Sequence, residues 1–179
     1  MRRRLMNAVG MALASLGLAT CTAPSKPVPA PIRPPVVVNA VPPPPLGAHP
    51  AGSWEDWPIQ PGDWQFAVSG TGAAARYVGA GGAAITLACE RAGGDVVMTA
   101  AGMGMASDVA VHTTNGTENL NGVAGADGGL RVVLQSRAGI LDRMAFSRGR
   151  FALSNSAGQG AALPAWPEIG RLTEFCRGG

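Results

Sequence analysis

The side chains of this 179-residue sequence that can do chemistry are few: three cysteines, two histidines and a C-terminal cluster of arginines with a tryptophan. His112, within "VAVHTT", is the only histidine after residue 52 and therefore the candidate general base. It alternates out of phase with Val109 and Val111, which turns its ring away from the core and toward solvent. No G-x-S-x-G, H-E-x-x-H or P-loop pattern supplies it with a nucleophile or a metal. Gly79-Ala80-Gly81-Gly82-Ala83-Ala84 has the form G-x-G-x-x-A, but a dinucleotide fingerprint needs a helix next, whose N-terminus holds the pyrophosphate. The strand-like "ITLAC" follows instead, so these glycines read as a hairpin loop. No cysteine has a CxxC partner and none lies at a Cys/His metal spacing. The expectation is a non-enzymatic chain with no cofactor and no metal.

The richest polar constellation lies near the C-terminus. "FSRGRF" and "LPAWPEIGR" place Ser147, Arg148, Arg150, Trp166, Glu168 and Arg171 on what should be adjacent elements. Arginine and tryptophan are enriched at binding hot spots, so these residues form a possible binding patch. The competing reading is an Arg/Glu pair along a helix, with Trp166 as a lid on the core. Three more tryptophans open the folded part in "SWEDWPIQPGDWQFAV". They read either as a carbohydrate platform or as a cover for one end of the core, where each indole buries a large area and its N–H needs one partner.

Ile85, Leu87 and Cys89 share one face of a strand by their spacing of two, and Cys176 lies on the apolar stripe of a C-terminal helix. Both thiols should face the core, either as a Cys89–Cys176 disulfide or as two buried free thiols. The choice turns on Cys21. Arg2, Arg3 and Arg4 followed by the uncharged run Leu5 to Thr20 have the layout of a bacterial export signal. The run is shorter than the roughly 20 apolar residues of a membrane span and is weakened by Asn7, Gly10, Ser15 and Gly17. Leu18-Ala19-Thr20-Cys21 resembles the lipobox of bacterial lipoproteins, which implies that Cys21 is lipidated and becomes the mature N-terminus. Thr20 stands where Gly, Ala or Ser is usual, and ordinary cleavage after Ala19 is the rival. With Cys21 as anchor, the other two cysteines make a pair suited to an oxidising periplasm.

Charge depends on the same boundary. The chain carries 14 basic and 11 acidic residues, but without the three signal arginines the balance is 11 against 11. From Ser53 onward it is 9 against 11, which gives no basic surface for nucleic acid. Residues 21–52, with "PSKPVPAPIRPPVVVNAVPPPPLGAHP", are too rich in proline for helix or sheet interior and should form a linker, either an extended spacer reaching about 90 Å or a merely disordered leader.

Residues 53–179 are then a single domain, rich in glycine and alanine. "WQFAV", "AARYVG", "AITLACE", "GDVVMTA", "DVAVHTT", "TENLNGV" and "LRVVLQS" alternate as short strands between Gly-rich turns, with Asn115-Gly116 as a hairpin signal. The pattern predicts a mainly β (α+β) fold, an antiparallel sandwich or barrel of about seven or eight strands. It also predicts a helix near 140–147, a short strand pair after Phe151, and a last helix over 167–176 with Pro167 at its first position.

"LDRMAFSRGRFALSNSAGQGAALPAWPEIGRLTEFCR" resembles the end of uncharacterised exported proteins of sphingomonad-type alphaproteobacteria, and more distantly the invasion-associated locus B type of periplasmic β-sandwich. The resemblance implies an exported, disulfide-bonded β-rich domain and carries over no catalytic residue. The expected function is that of an envelope lipoprotein on the periplasmic face of the outer membrane, or a soluble periplasmic protein if Cys21 is not lipidated. It would bind an envelope protein or cell-wall component; the alternative is a β-barrel inhibitor of a lysozyme or protease, using "ASDVAVHTTNGTENLN" as its loop.

Overall fold

The computed structural model describes residues 47–79, 85–90 and 93–178. The signal segment, Cys21, the proline-rich stretch to residue 46 and the glycine loop at 80–84 lie outside the described residues. Four strands come first: β1 (Gly62–Ser69), β2 (Gly72–Gly79), β3 (Ile85–Glu90) and β4 (Asp95–Ala100). A hairpin of β5 (Asp108–Thr113) and β6 (Gly116–Asn121) follows, then the two-residue β7 (Val123–Ala124) and β8 (Leu130–Gln135). The chain ends with α1 (Gly139–Ala145), β9 (Arg150–Ser154), β10 (Gly160–Pro164) and α2 (Pro167–Arg177).

These strands form two antiparallel sheets, ordered β1-β2-β3-β4-β8-β7 and β10-β9-β5-β6. Both sheets are open, so of the two architectures the sequence allows, the sandwich is the observed one. Period-two alternation is the reason. Trp64, Tyr77, Ile85, Leu87, Val96, Met98 and Leu130 point inward from the larger sheet and join Val109, Val111, Phe151, Leu153 and Leu163 of the smaller one in a single core. Among the described residues ten strands are present rather than about seven or eight; β7 is too short for alternation to announce it, and "TENLNGV" divides between β6 and β7 at Gly122. Thr114 and Asn115 make the hairpin turn, while Gly116 (φ 116°) already pairs with Thr113, one residue from where Asn-Gly alone would set it.

The two helices seal the core. α2 is preorganised by Pro167 in its first turn and stopped by Gly178 in the left-handed conformation (φ 86°). Its stripe of Ile169, Leu172 and Cys176 is buried, and it lies against β1 to β4. α1 buries Ile140, Leu141 and Met144 and packs on α2 and β5. Arg177 joins the two helices by a bidentate pair with Asp142 (2.8 and 2.9 Å), which holds that carboxyl below its ordinary value through the hydrogen bonds first and the charge second.

Residues 47–60 run as a strap over the outer face of the smaller sheet. His49 N donates to Gly158 O (2.9 Å) and Gln60 N to Ala162 O (2.9 Å), with bridges at Ala48–Gln159 and Ile59–Ala162. Folded structure therefore begins before Ser53. Gly160 makes room for it: a Cβ there would meet Leu153 O at 2.5 Å and His49 Cβ at 3.0 Å. Trp57, buried at 4% exposure, sits on Ala152 and Ala162 in a second small core.

Candidate functional site

His112 is where the strap and the sheet meet. It shares the outer face of β5 with no core residue, as its phase requires, yet it is only half-buried because the strap roofs it. The expectation of a solvent-facing ring is corrected by that roof. Trp54 stacks on the ring (6.0 Å, 19°), Trp57 meets it edge-on (6.4 Å, 71°), and His49 stacks on the far side of the cluster against Trp57 (4.8 Å, 14°). His112 Nε2 lies 2.9 Å from Ser154 Oγ and Nδ1 lies 2.9 Å from Thr117 Oγ1. In the neutral ring one nitrogen donates and the other accepts, so the two hydroxyls satisfy it completely.

Burial is the main effect on His112 and pushes its pKa below the ordinary value; the Glu55 carboxylate pulls it up and His49 pushes it down. Protonation would also replace the accepting nitrogen with a second donor. The sign follows from linkage: with the folded pKa depressed, the unfolded chain binds the proton first. Stability is full above the unfolded value near 6.5 and falls as pH drops through it toward the folded pKa. The melting temperature should therefore decline between about pH 7.5 and 5.5, and His112→Gln should flatten that stretch. Thermal melts across the range check it; equal slopes for both proteins would assign the decline elsewhere.

The imidazole thus stands between two hydroxyls, those of Ser154 and Thr117. Among the described residues no carboxylate bonds to the ring, and two tryptophans occupy the space above it. These ring contacts tie the strap to the sheet at His112.

The C-terminal constellation is brought together as the sequence suggests. Arg150 pairs with Pro164 across β9 and β10, Ala165 N donates to Gly149 O (3.3 Å), and Gly170 faces Ala145. The residues have divided tasks, however. Arg150 Nη1 donates to Glu55 O (3.0 Å) and Trp57 O (2.7 Å), pinning the strap. Ser147 is buried; its hydroxyl accepts from Thr114 N (3.1 Å) and donates to Arg150 O (2.5 Å). Glu168 pairs with Arg171 (3.6 Å) along the first turns of α2, as the competing reading expects, at the helix end where a carboxylate is favoured. Exposed on this end are Arg148, Arg171, Trp166 (37%) and a residue the sequence reading passed over, Phe146 (74%). Phe146 follows α1 directly and falls out of phase with Ile140, Leu141 and Met144, which was the available signal.

The stretch "ASDVAVHTTNGTENLN" is no free loop but the β5–β6 hairpin with a two-residue turn. Its tip is braced: Thr113 Oγ1 donates to Gly116 O (2.8 Å), and Arg148 N donates to Thr114 Oγ1 (3.2 Å).

Cys89 and Cys176 are joined in a disulfide, Cα atoms 6.2 Å apart and 87 residues apart in sequence. It links the middle of the larger sheet to the last turn of α2. On the opposite, outer face of that sheet, Ala67, Gly72, Ala74, Ala88 and Val97 form an open apolar groove of about 350 Å³. Its depth comes from missing side chains, since Ala67, Ala74, Ala88 and Val97 are successive cross-strand neighbours from β1 to β4. Among the described residues no cluster of His, Cys, Asp and Glu is placed to hold a metal ion.

The fold and the disulfide define an α+β sandwich stapled through its last helix. No family model, curated protein or solved structure matches the chain.

Proposed function

We propose that this chain is an exported envelope lipoprotein, of the sphingomonad type it resembles, whose sandwich is a non-enzymatic binding or structural accessory domain. Residues 1–20 direct export, Cys21 carries the lipid, and the proline-rich stretch to residue 52 spaces the domain from the periplasmic face of the outer membrane. The observation that carries this reading is the Cys89–Cys176 disulfide. Such links persist in oxidising compartments, and this one uses both cysteines of the folded part, leaving Cys21 as the odd thiol. Among the described residues no helix is long and apolar enough to cross a membrane. The surface offered to an envelope partner is the end bearing Phe146, Arg148, Trp166 and Arg171, where aromatic and guanidinium groups stand exposed.

The test is the intact mass of the mature protein from its own host, with and without reductant. A diacylglycerol adduct on Cys21 is expected, together with a gain of two hydrogens on reduction. A chain beginning at Thr20 without lipid would remove the tether, and an unchanged mass on reduction would remove the disulfide. Tight inhibition of a lysozyme or protease by the oxidised protein would replace the accessory role with that of an inhibitor.

A further inference from the structure

The outer edge of β1 has no partner among the described residues, and its sequence does nothing to discourage one. All eight residues, Gly62–Ser69, pair with β2 in unbroken register, so the strand presents a straight, full-length edge. Natural edges are commonly blunted by lysine, proline, a bulge or very short length. β1 has none of these, and Asp63 is its only charge. The other edges of the described sheets differ: β7 is two residues long, β10 is bridged by the strap, and β6 carries Glu118, which pairs with Arg143 of α1. Cover also fades along the core-facing side of β1, from buried Trp64 through half-buried Phe66 to Val68 at 55% exposure.

We infer that β1 pairs antiparallel with β1 of a second copy of this chain, about a two-fold axis at Phe66, joining two six-stranded sheets into one. Directly opposed residues in an antiparallel pair point to the same face, so only registers matching even with even and odd with odd positions keep both cores on one side. Centred on Phe66, the pairing puts Val68 against the partner's Trp64 and Phe66 against the partner's Phe66. On the outer face Ala67 meets the partner's Gln65, and Ser69 meets the partner's Asp63. Exposed Val68 gains an apolar neighbour, Asp63 gains a hydroxyl donor, and no like charges oppose. Shifting the axis to Gln65 sets Val68 against Gly62, and shifting it to Ala67 carries Asp63 beyond the strand end, so both lose these contacts. The contact is isologous and closes at two copies, and it continues the apolar groove at Ala67 and Gly72 up to the joint. The inference does not depend on lipidation of Cys21.

Sedimentation velocity of the purified oxidised chain, across two orders of magnitude in concentration, tests it. A reversible monomer–dimer equilibrium is expected. Gln65 and Ala67 are exposed and outside the core, so substitutions there change pairing and leave the fold intact. Gln65→Glu with Ala67→Lys sets opposite charges across the joint twice and should shift dimerisation to lower concentration. Gln65→Glu with Ala67→Glu sets like charges there and should leave a monomer with unchanged circular dichroism. A wild-type chain that is monomeric throughout, or a dimer indifferent to both charge pairs, overturns the inference.

Discussion

Replacing Cys89 and Cys176 together by alanine should lower the stability of the folded domain by roughly 4 to 5 kcal/mol, because a loop spanning so much of the sequence is then free to open in the unfolded chain. The closed loop contains 87 residue steps and takes in every strand from β4 to β10. Against a typical total of about 5 to 15 kcal/mol, that loss is about a quarter or more of what holds the domain together. A fall of about 15 °C in melting temperature corresponds to it for a domain of this size. The native state should change little at moderate temperature, since Ile169 and Leu172 stay buried and α2 keeps its contacts with β1 to β4. Far-ultraviolet circular dichroism should thus be superimposable at 20 °C or so and diverge on heating. Melts of the double variant, compared with wild type in and out of reductant, check the effect; coincident melts would show that the link contributes nothing.

That staple was legible in the sequence because each half has its own signal. Period two placed Cys89 with Ile85 and Leu87, and period 3.6 placed Cys176 with Ile169 and Leu172. The boundaries of α2 were equally plain, since Pro167 and Gly178 act locally. Alternation also found the strands, but it tells which face a side chain takes and not which strand lies beside it. Hence the division into two sheets was hidden: β8 returns past the β5–β6 hairpin to pair with β4, and β9 pairs with β5. The strap was hidden for another reason. Its residues make isolated bridges and one 3-10 turn, Trp54–Asp56, with no period to detect. As a result the phase of His112 showed its face but not the strap above it, and nothing near Arg150 in the sequence showed that its bonds go to carbonyls of a segment about 93 residues earlier. The residues around Trp166 were legible only as composition; the structure engages Arg150 with the strap and Ser147 with the hairpin turn, and leaves Phe146 exposed beside Arg148.

Trp57→Ala should detach the strap while leaving the main core intact. Trp57 is the keystone of the second core, at 4% exposure over Ala152 and Ala162, with Trp54 beside it and His49 stacked on it. Truncating a buried tryptophan costs about 3 to 5 kcal/mol, and the lower figure applies where the neighbours can relax, as an N-terminal segment held at isolated bridges can. The cost is local because none of the large core residues between the sheets touches the second cluster's membership: Tyr77, Leu87, Phe151 and Leu163 belong to the first. Trp57→Phe separates packing from hydrogen bonding. Trp57 Nε1 is buried with no partner among the described residues, so phenylalanine gives up area but also removes an unsatisfied donor, and should remain within about 1 kcal/mol of wild type. Two readouts distinguish strap release from global unfolding. Limited proteolysis should cut the alanine variant between Gly47 and Gln60 while residues from Gly62 onward stay protected. In the same variant His112 should regain water and its pKa should rise toward the ordinary value, because the burial that depresses it is supplied from above by Trp54 and Trp57. Nuclear magnetic resonance titration of the ring measures that rise; an unshifted His112 in a proteolytically nicked protein would mean that the sheet, and not the strap, keeps it dry.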